Sequence, residues 1–357
     1  MNALVVDEIK PYPWILHPVL DLILGCGGIV WLLFVIHYFL MPLNSPNVAM
    51  LTATSATGVI LFAEAHTAAT FAVVYRNEAV CNQYRFYTKW LARCCFALAA
   101  IVMIIPALTP TFIKLYLLMV PHHFLAQAFG IAMLYCMKRG YKVGVWERTA
   151  LLFLVRSVTV FATLRQLTYR EWSGKSFLGV EIPFWDFVPA YVTDASEQFM
   201  FFSALFLCGL IVIRSFRTGD IMPFPAQLVL LTCVSGFVMG PQATGIFWLY
   251  VSAFFHGAQY LMIVIAQRIK DEGIPEGMST HRIASRLLNL ESTRFILIIS
   301  AITFVLYSVI PYVLQYFGVA TIAAAAAIFT TVNFFHIITD GALWKLRDPK
   351  LRDQLVA

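Results

Sequence analysis

Apolar runs of about twenty residues recur along the whole chain, separated by short polar or basic stretches, and none shows the strict alternation of a lipid-facing strand. A helix rises 1.5 Å per residue, so a run of that length crosses the hydrocarbon core of a bilayer. The pattern predicts an all-α polytopic bundle in a single transmembrane domain covering residues 1–357, and it excludes an outer-membrane barrel. About ten spans are expected. They fall near residues 17–41, 50–75 and 90–108, in a fourth run that stops at Lys138-Arg139-Gly140, and near residues 149–168, 199–216, 227–239, 244–267, 293–317 and 320–344. Pro42 with Asn44-Ser45-Pro46, Thr109-Pro110 and Gly240-Pro241 supply the breaks.

Two longer polar stretches interrupt the series. Residues 170–197 carry Trp172, Phe177, Phe184, Trp185, Phe187 and Tyr191, which suit either an interfacial lid on the outer face or an ordinary aromatic belt. Residues 270–292 place Ile283, Leu287, Leu288 and Leu290 beside His281, Arg282 and Arg286, the pattern of an amphipathic cytoplasmic surface helix. No removable signal is expected, because Asp7 and Glu8 precede the first apolar run.

Basic residues fix the expected orientation. In a ten-span layout Arg76, Arg85, Lys89, Lys138, Arg139, Arg214, Arg217, Arg268, Lys270, Lys345 and Arg347 share one face, while the opposite face collects few. The positive-inside rule then puts both termini in the cytoplasm, a bacterial inner membrane being the simplest setting. Composition agrees, with 60% hydrophobic and 12% charged residues. The net charge of +6 is accounted for by these span ends, so nucleic-acid binding is not expected. The seven cysteines include no Cys-x-x-Cys pair and read as helix filling.

Candidate chemistry lies inside the spans. His66, the pair His122-His123, His256 and His336 sit in four runs of the same direction, in one layer about 8 Å thick by helix rise. Ionisable groups at that depth are expensive and mark function. Imidazoles at one level on facing helices suit a metal centre in a bundle core. Asn333, His336 and Asp340 share a helix face, so Asp340 is either a ligand or an orienter of an imidazole. His123 with Gln127, and His256 with Gln259 or Tyr260, repeat that spacing, which makes Gln127, Gln259, Tyr260 and Asn333 candidates for outer-sphere or substrate contacts. His122 and His123 project about 100° apart, so both serve one centre only if one flanks its edge or each takes its own ion. Glu64 is a candidate ligand or proton-transfer group, and Arg156 a partner for Glu64, Asp340 or a substrate headgroup. His17 and Asp21 have ligand-like spacing near a surface and stand open between a site and a solvated helix end.

Imidazole with carboxylate and without thiolate suits iron, copper or zinc. The arrangement of His66, His122-His123, His256 and His336-x-x-x-Asp340 inside helices resembles the membrane histidine-cluster iron oxygenases, namely the desaturase and hydroxylase group and the bacterial carotene-cleaving Brp/Blh group. The resemblance implies mono- or dinuclear non-haem iron, dioxygen, an electron donor and a lipid-like acyl or isoprenoid substrate that is hydroxylated, desaturated or cleaved. Two other readings remain open on the residues alone. Histidines on facing helices can ligate haem in an electron-transfer or quinol protein, and His, Asp and Glu can relay protons in a proton- or metal-coupled transporter.

Overall fold

The computed structural model describes residues 13–36, 59–168, 176–185, 187–243, 246–271, 290–347 and 349–356. They form helices almost throughout: α1 (Pro18–Gly25), α2 (Gly28–Val35), α3 (Ala65–Val74), α4 (Glu78–Gln83), α5 (Phe86–Ile104), α6 (Thr109–Lys138) and α7 (Val145–Thr168). The hairpin strands β1 (Ser176–Phe177) and β2 (Val180–Glu181) follow, then α8 (Ala190–Thr218), α9 (Phe224–Ala243), α10 (Ile246–Asp271), α11 (Leu290–Phe304), α12 (Ile310–Tyr316), α13 (Thr321–Leu343) and α14 (Pro349–Val356).

Six helical stretches are long and apolar enough to cross a membrane: Phe86–Ile104, Pro106–Lys138, Val145–Thr168, Ala190–Thr218, Thr293–Tyr316 and Thr321–Leu343. A seventh is added if α1 and α2, bent by 54° at their junction, count as one span. Six or seven of the expected ten meet this criterion among the described residues. The run at 50–75 is described only from residue 59, and the amphipathic stretch at 270–292, His37 and His281 lie outside the described residues.

Several expected boundaries shift: the run at 90–108 is Phe86–Ile104, and the one at 149–168 begins at Val145. The helix after the aromatic stretch begins at Ala190 instead of residue 199, because Pro189 in extended conformation launches it and Asp194, Ser196 and Glu197 continue it ahead of the apolar run. The short run at 227–239 extends to Phe224–Ala243.

Burial orders the bundle. In the most apolar window of α13, 67% of residues are buried, against 17% for α5, α8 and the Thr293–Tyr316 stretch. α13 is therefore the central helix. Its alanine-rich first half, Ala323 to Ala327, lets neighbours approach closely, as small residues do between membrane helices. The helices α3, α10, α6 and α13 close a ring in which each packs on the next and α13 returns to α3. α8 and α11 instead present Phe201, Phe202, Phe216, Leu297 and Phe304 outward, the surface a hydrocarbon solvent would accept.

The break between α1 and α2 is built from both sides. Gly27 has φ +88°, and a Cβ there would lie 2.3 Å from the Thr232 methyl carbon. Thr232 Oγ1 sits 2.8 Å from Cys26 O and accepts the Trp31 indole N–H at 2.8 Å, which joins the break to α9. Within α1, the wholly buried Asp21 carboxylate accepts the N–H groups of Ile15 (2.6 Å) and Leu16 (3.0 Å) from the segment before the helix, and the Tyr135 hydroxyl (3.0 Å). His17 is the N-cap of α1, its Nδ1 accepting the Val19 N–H at 3.3 Å, while Asp21 ties down the backbone that leads into the helix. Asp21→Ala orphans these donors and should cost about 3 kcal/mol or more. A melting temperature within a degree of the parent would show that the donors find other acceptors.

Candidate metal centre

Each helix of the central ring contributes one imidazole: His66 from α3, His123 from α6, His256 from α10 and His336 from α13. All four are buried, and one ring nitrogen from each lies within 4.8 Å of the others. The rings meet edge to face, with centroids 4.3 Å apart for His66 and His336, 4.5 Å for His123 and His256, and 4.8 Å for both His66–His256 and His123–His336.

Local structure aims them. The π-turn Val59–Glu64 enters α3, and such turns concentrate where a helix must re-aim a side chain. The His66 Nδ1–H donates to Ala63 O, so its Nε2 keeps a lone pair; Nε2 has no partner among the described residues. Gly257, beside His256, lets α10 reach that turn: a Cβ there would lie 2.5 Å from Phe62 O and 2.7 Å from Ala63 Cα. The His256 ring stacks on Phe124 at 4.0 Å and 15°, and neither of its nitrogens has a partner among the described residues.

His336 is held from behind by Thr70. The Thr70 hydroxyl lies 2.7 Å from His336 Nδ1, 2.7 Å from the Tyr260 hydroxyl and 3.4 Å from Asp340 Oδ1. A threonine hydroxyl has one proton and two lone pairs. Accepting from the His336 Nδ1–H while donating its own proton to Tyr260 or Asp340 satisfies it, and the Tyr260 hydroxyl in turn bonds the Asp340 carboxyl. That tautomer turns the His336 Nε2 lone pair toward His123 Nε2, 3.0 Å away. Asp340 Oδ2 stands 3.4 Å from the same His336 nitrogen, so a carboxyl group borders the imidazoles. The ring nitrogens of His66 and His256 that lack a partner among the described residues face this pair, and a cation placed among the four imidazoles would serve them all at once.

Gln127 and Gln259 fix the backbone of α10. Gln127 Nε2 donates to His256 O at 3.0 Å and to Gln259 Oε1 at 3.2 Å, and Gln259 Nε2 reaches Gly25 O at 2.8 Å. The interruption between α1 and α2 thereby ties into the centre. Asn333 donates back to Phe329 O at 2.9 Å.

Glu64 lies to one side, lining a cavity of about 60 Å³ together with His66, Tyr116, His123, Phe177 and Asn333. The Tyr307 hydroxyl bonds Thr67 at 2.8 Å and the Glu64 carboxyl. Phe177 of the hairpin is buried against Tyr116 and Phe329, so this part of the aromatic stretch plugs the bundle rather than resting at the headgroups.

The remaining candidates fall elsewhere. His122 is exposed and stands outside the four-imidazole group, as its angle to His123 requires. Arg156 is exposed on α7, and its contacts with Glu64 or Asp340 are not formed. Comparison with family models, with curated proteins and with solved structures finds no match.

The grouping itself fits a metal. Nitrogens 3.0 Å apart have the spacing of neighbouring ligands around one ion with bonds of about 2.0–2.1 Å. The 4.8 Å limit on the whole set needs only a small contraction to bring all four to such an ion. Sequence reading missed Thr70, Thr67, Tyr307 and Phe124. Thr70 carries a signal, since it lies four residues after His66 on the same helix face.

Proposed function

We propose that the protein is an integral-membrane, metal-dependent oxidoreductase in which one non-haem iron, held by His66, His123, His256 and His336, uses dioxygen to hydroxylate, desaturate or cleave a lipid-like substrate. The observation that carries this reading is the convergence of four buried imidazole nitrogens on one point inside an apolar helical bundle. A donor set of neutral imidazoles without thiolate suits a redox-active first-row metal, and iron there supplies the activation of dioxygen.

The chain's own residues do the rest. Thr70, Tyr260 and Asp340 hold the His336 tautomer, and Gln127 with Gln259 sets the position of His256. Phe124, Phe177 and Phe329 keep water from the centre. Glu64, joined to Tyr307, is placed to hold or release a proton at the small cavity. Hydroxylation or desaturation draws two electrons from an external donor, whereas cleavage that places both oxygen atoms in the products draws none. The loop charges further support ten spans with both termini cytoplasmic, in a bacterial inner membrane.

The alternatives draw less support. Four imidazoles touching edge to face leave no slot between them for a macrocycle, which weighs against haem at this centre. A transporter of the inverted-repeat kind calls for two broken spans, and among the described residues the α1–α2 pair is the single one.

The test is elemental analysis with an ultraviolet–visible spectrum of detergent-purified protein from iron-replete cells. One equivalent of iron per chain without a Soret band is expected. A Soret band would overturn the reading, and stoichiometric zinc or copper in its place would displace iron.

A further inference from the structure

A second cavity, of about 210 Å³, starts at His123 and Asp340 and ends against Leu346 and Leu355. On α6 its wall runs from His122 to Leu134, about 18 Å along the helix axis. Its deep part is apolar and closed by α14, whose last carbonyls are gripped by two lysines: Lys138 Nζ reaches Leu355 O at 3.1 Å and Val356 O at 3.0 Å, and Lys270 Nζ reaches Leu355 O at 3.2 Å.

The lining residues that are exposed are His122 and Ala126 on α6 and Gly341 on α13, so the mouth opens sideways between these two helices. A Cβ added at Gly130 or Gly341 meets no atom within 4 Å, which leaves the cleft clear. His122 sits near the middle of α6, at hydrocarbon depth. Its imidazole is exposed there without a hydrogen-bonding partner among the described residues, a costly position for a polar group unless something polar comes to meet it.

We infer that this cavity holds the apolar chain of an amphiphile that slides in from the bilayer between α6 and α13, and that His122 binds its neutral hydrogen-bonding end group, a hydroxyl or a carbonyl. The inference rests on the proposed role of the four imidazoles as the reacting centre. Shape selects one linear chain: about 210 Å³ spread along about 18 Å of α6 is a narrow channel, not a chamber for a fused ring system or a second tail. Depth selects a neutral end group, since an ionised head would have to leave the interface for the mid-bilayer. His122 precedes His123 in the chain and lines the same wall. An end group resting on His122 therefore sets the first carbons of the chain beside His123, with the tail toward Leu346 and Leu355. Oxidation then falls near the functional end and not at the tail.

The probe is decanol carrying a diazirine at its tail end, photolysed with the full-length, metal-loaded protein in lipid nanodiscs and mapped by peptide mass spectrometry. Adducts should concentrate on the segment containing Leu346 and Leu355. Gly341→Phe, which fills the mouth, should lower them at least tenfold with bound metal retained, and Gly130→Leu provides a second block if that variant does not fold. His122→Phe should lower labelling about fivefold, His122→Gln should restore most of it, and the corresponding diazirine-tailed decane should be indifferent to either change. Adducts spread over outward faces such as α8, unaffected by Gly341→Phe, would overturn the inference. Protein that takes up no iron yet is labelled in the cavity would sink the oxygenase reading and leave the chain site standing; metal-loaded protein labelled only outside would do the reverse.

Discussion

His336→Ala is expected to leave the purified protein without stoichiometric metal and to lower turnover by at least a thousandfold. His336 makes ring contacts with both His66 and His123, and its Nε2 lies 3.0 Å from the matching nitrogen of His123. Alanine removes a donor and also strips Thr70 and Asp340 of the group they orient, in a place from which water is excluded. Thr70→Val gives a graded companion. It keeps the four imidazoles but releases the His336 tautomer, so metal affinity should fall about 10–100-fold, the usual effect of losing an outer-sphere partner. Metal analysis and titration of the two variants separate these outcomes, and full metal content in His336→Ala would remove that residue from the ligand set.

Gly257→Ala is expected to destabilise the protein by about 1–3 kcal/mol and to weaken metal binding together with the fold. The added methyl would lie 2.5 Å from Phe62 O, 2.6 Å from Phe62 C and 2.7 Å from Ala63 Cα. These are backbone atoms and cannot rotate away, so α10 and the turn before α3 must separate. The separation acts on both sides of the centre, since His256 adjoins Gly257 and the Ala63 carbonyl holds His66. Gly130→Ala is the matched control. Nothing lies within 4 Å of its added carbon, and alanine favours the helix, so its melting temperature should hold or rise. Equal melting temperatures for the Gly257 variant and the parent would mean that the close approach bears no strain.

The positions of His66, His123, His256 and His336 at one depth could be read in one dimension, because apolar run lengths and basic span ends fix how far along each helix a residue lies. Rotation about the helix axis is a different quantity. The 100° between His122 and His123 was legible, but which of them faces inward depends on how α6 is turned against α13 and α10, and that is set by packing. Arg156 went astray for the same reason, its face of α7 being turned outward. Tyr307 left no trace in the periodicity because the π-turn Val305–Val309 resets the register of its helix. The aromatic stretch was recognisable as aromatic, yet the burial of Phe177 follows from a hairpin too short to show as alternation. The binding of Asp21 to backbone N–H groups likewise needed three dimensions, since those donors become available only where the chain turns into α1.

The four imidazoles are drawn from positions 66, 123, 256 and 336, so the centre has a place in time as well as in space. A ribosome adding about 5–20 residues per second needs roughly 15–55 s to pass from the first of them to the last. During that interval the earlier helices are already in the membrane with incomplete ligand sets, and α13, the most enclosed of the spans, has yet to fill its place. If these imidazoles hold the proposed metal, its capture at four ligands is the closing event of biogenesis. Its binding free energy acts on the finished bundle, so chelation during synthesis should deplete assembled protein far more than chelation afterwards.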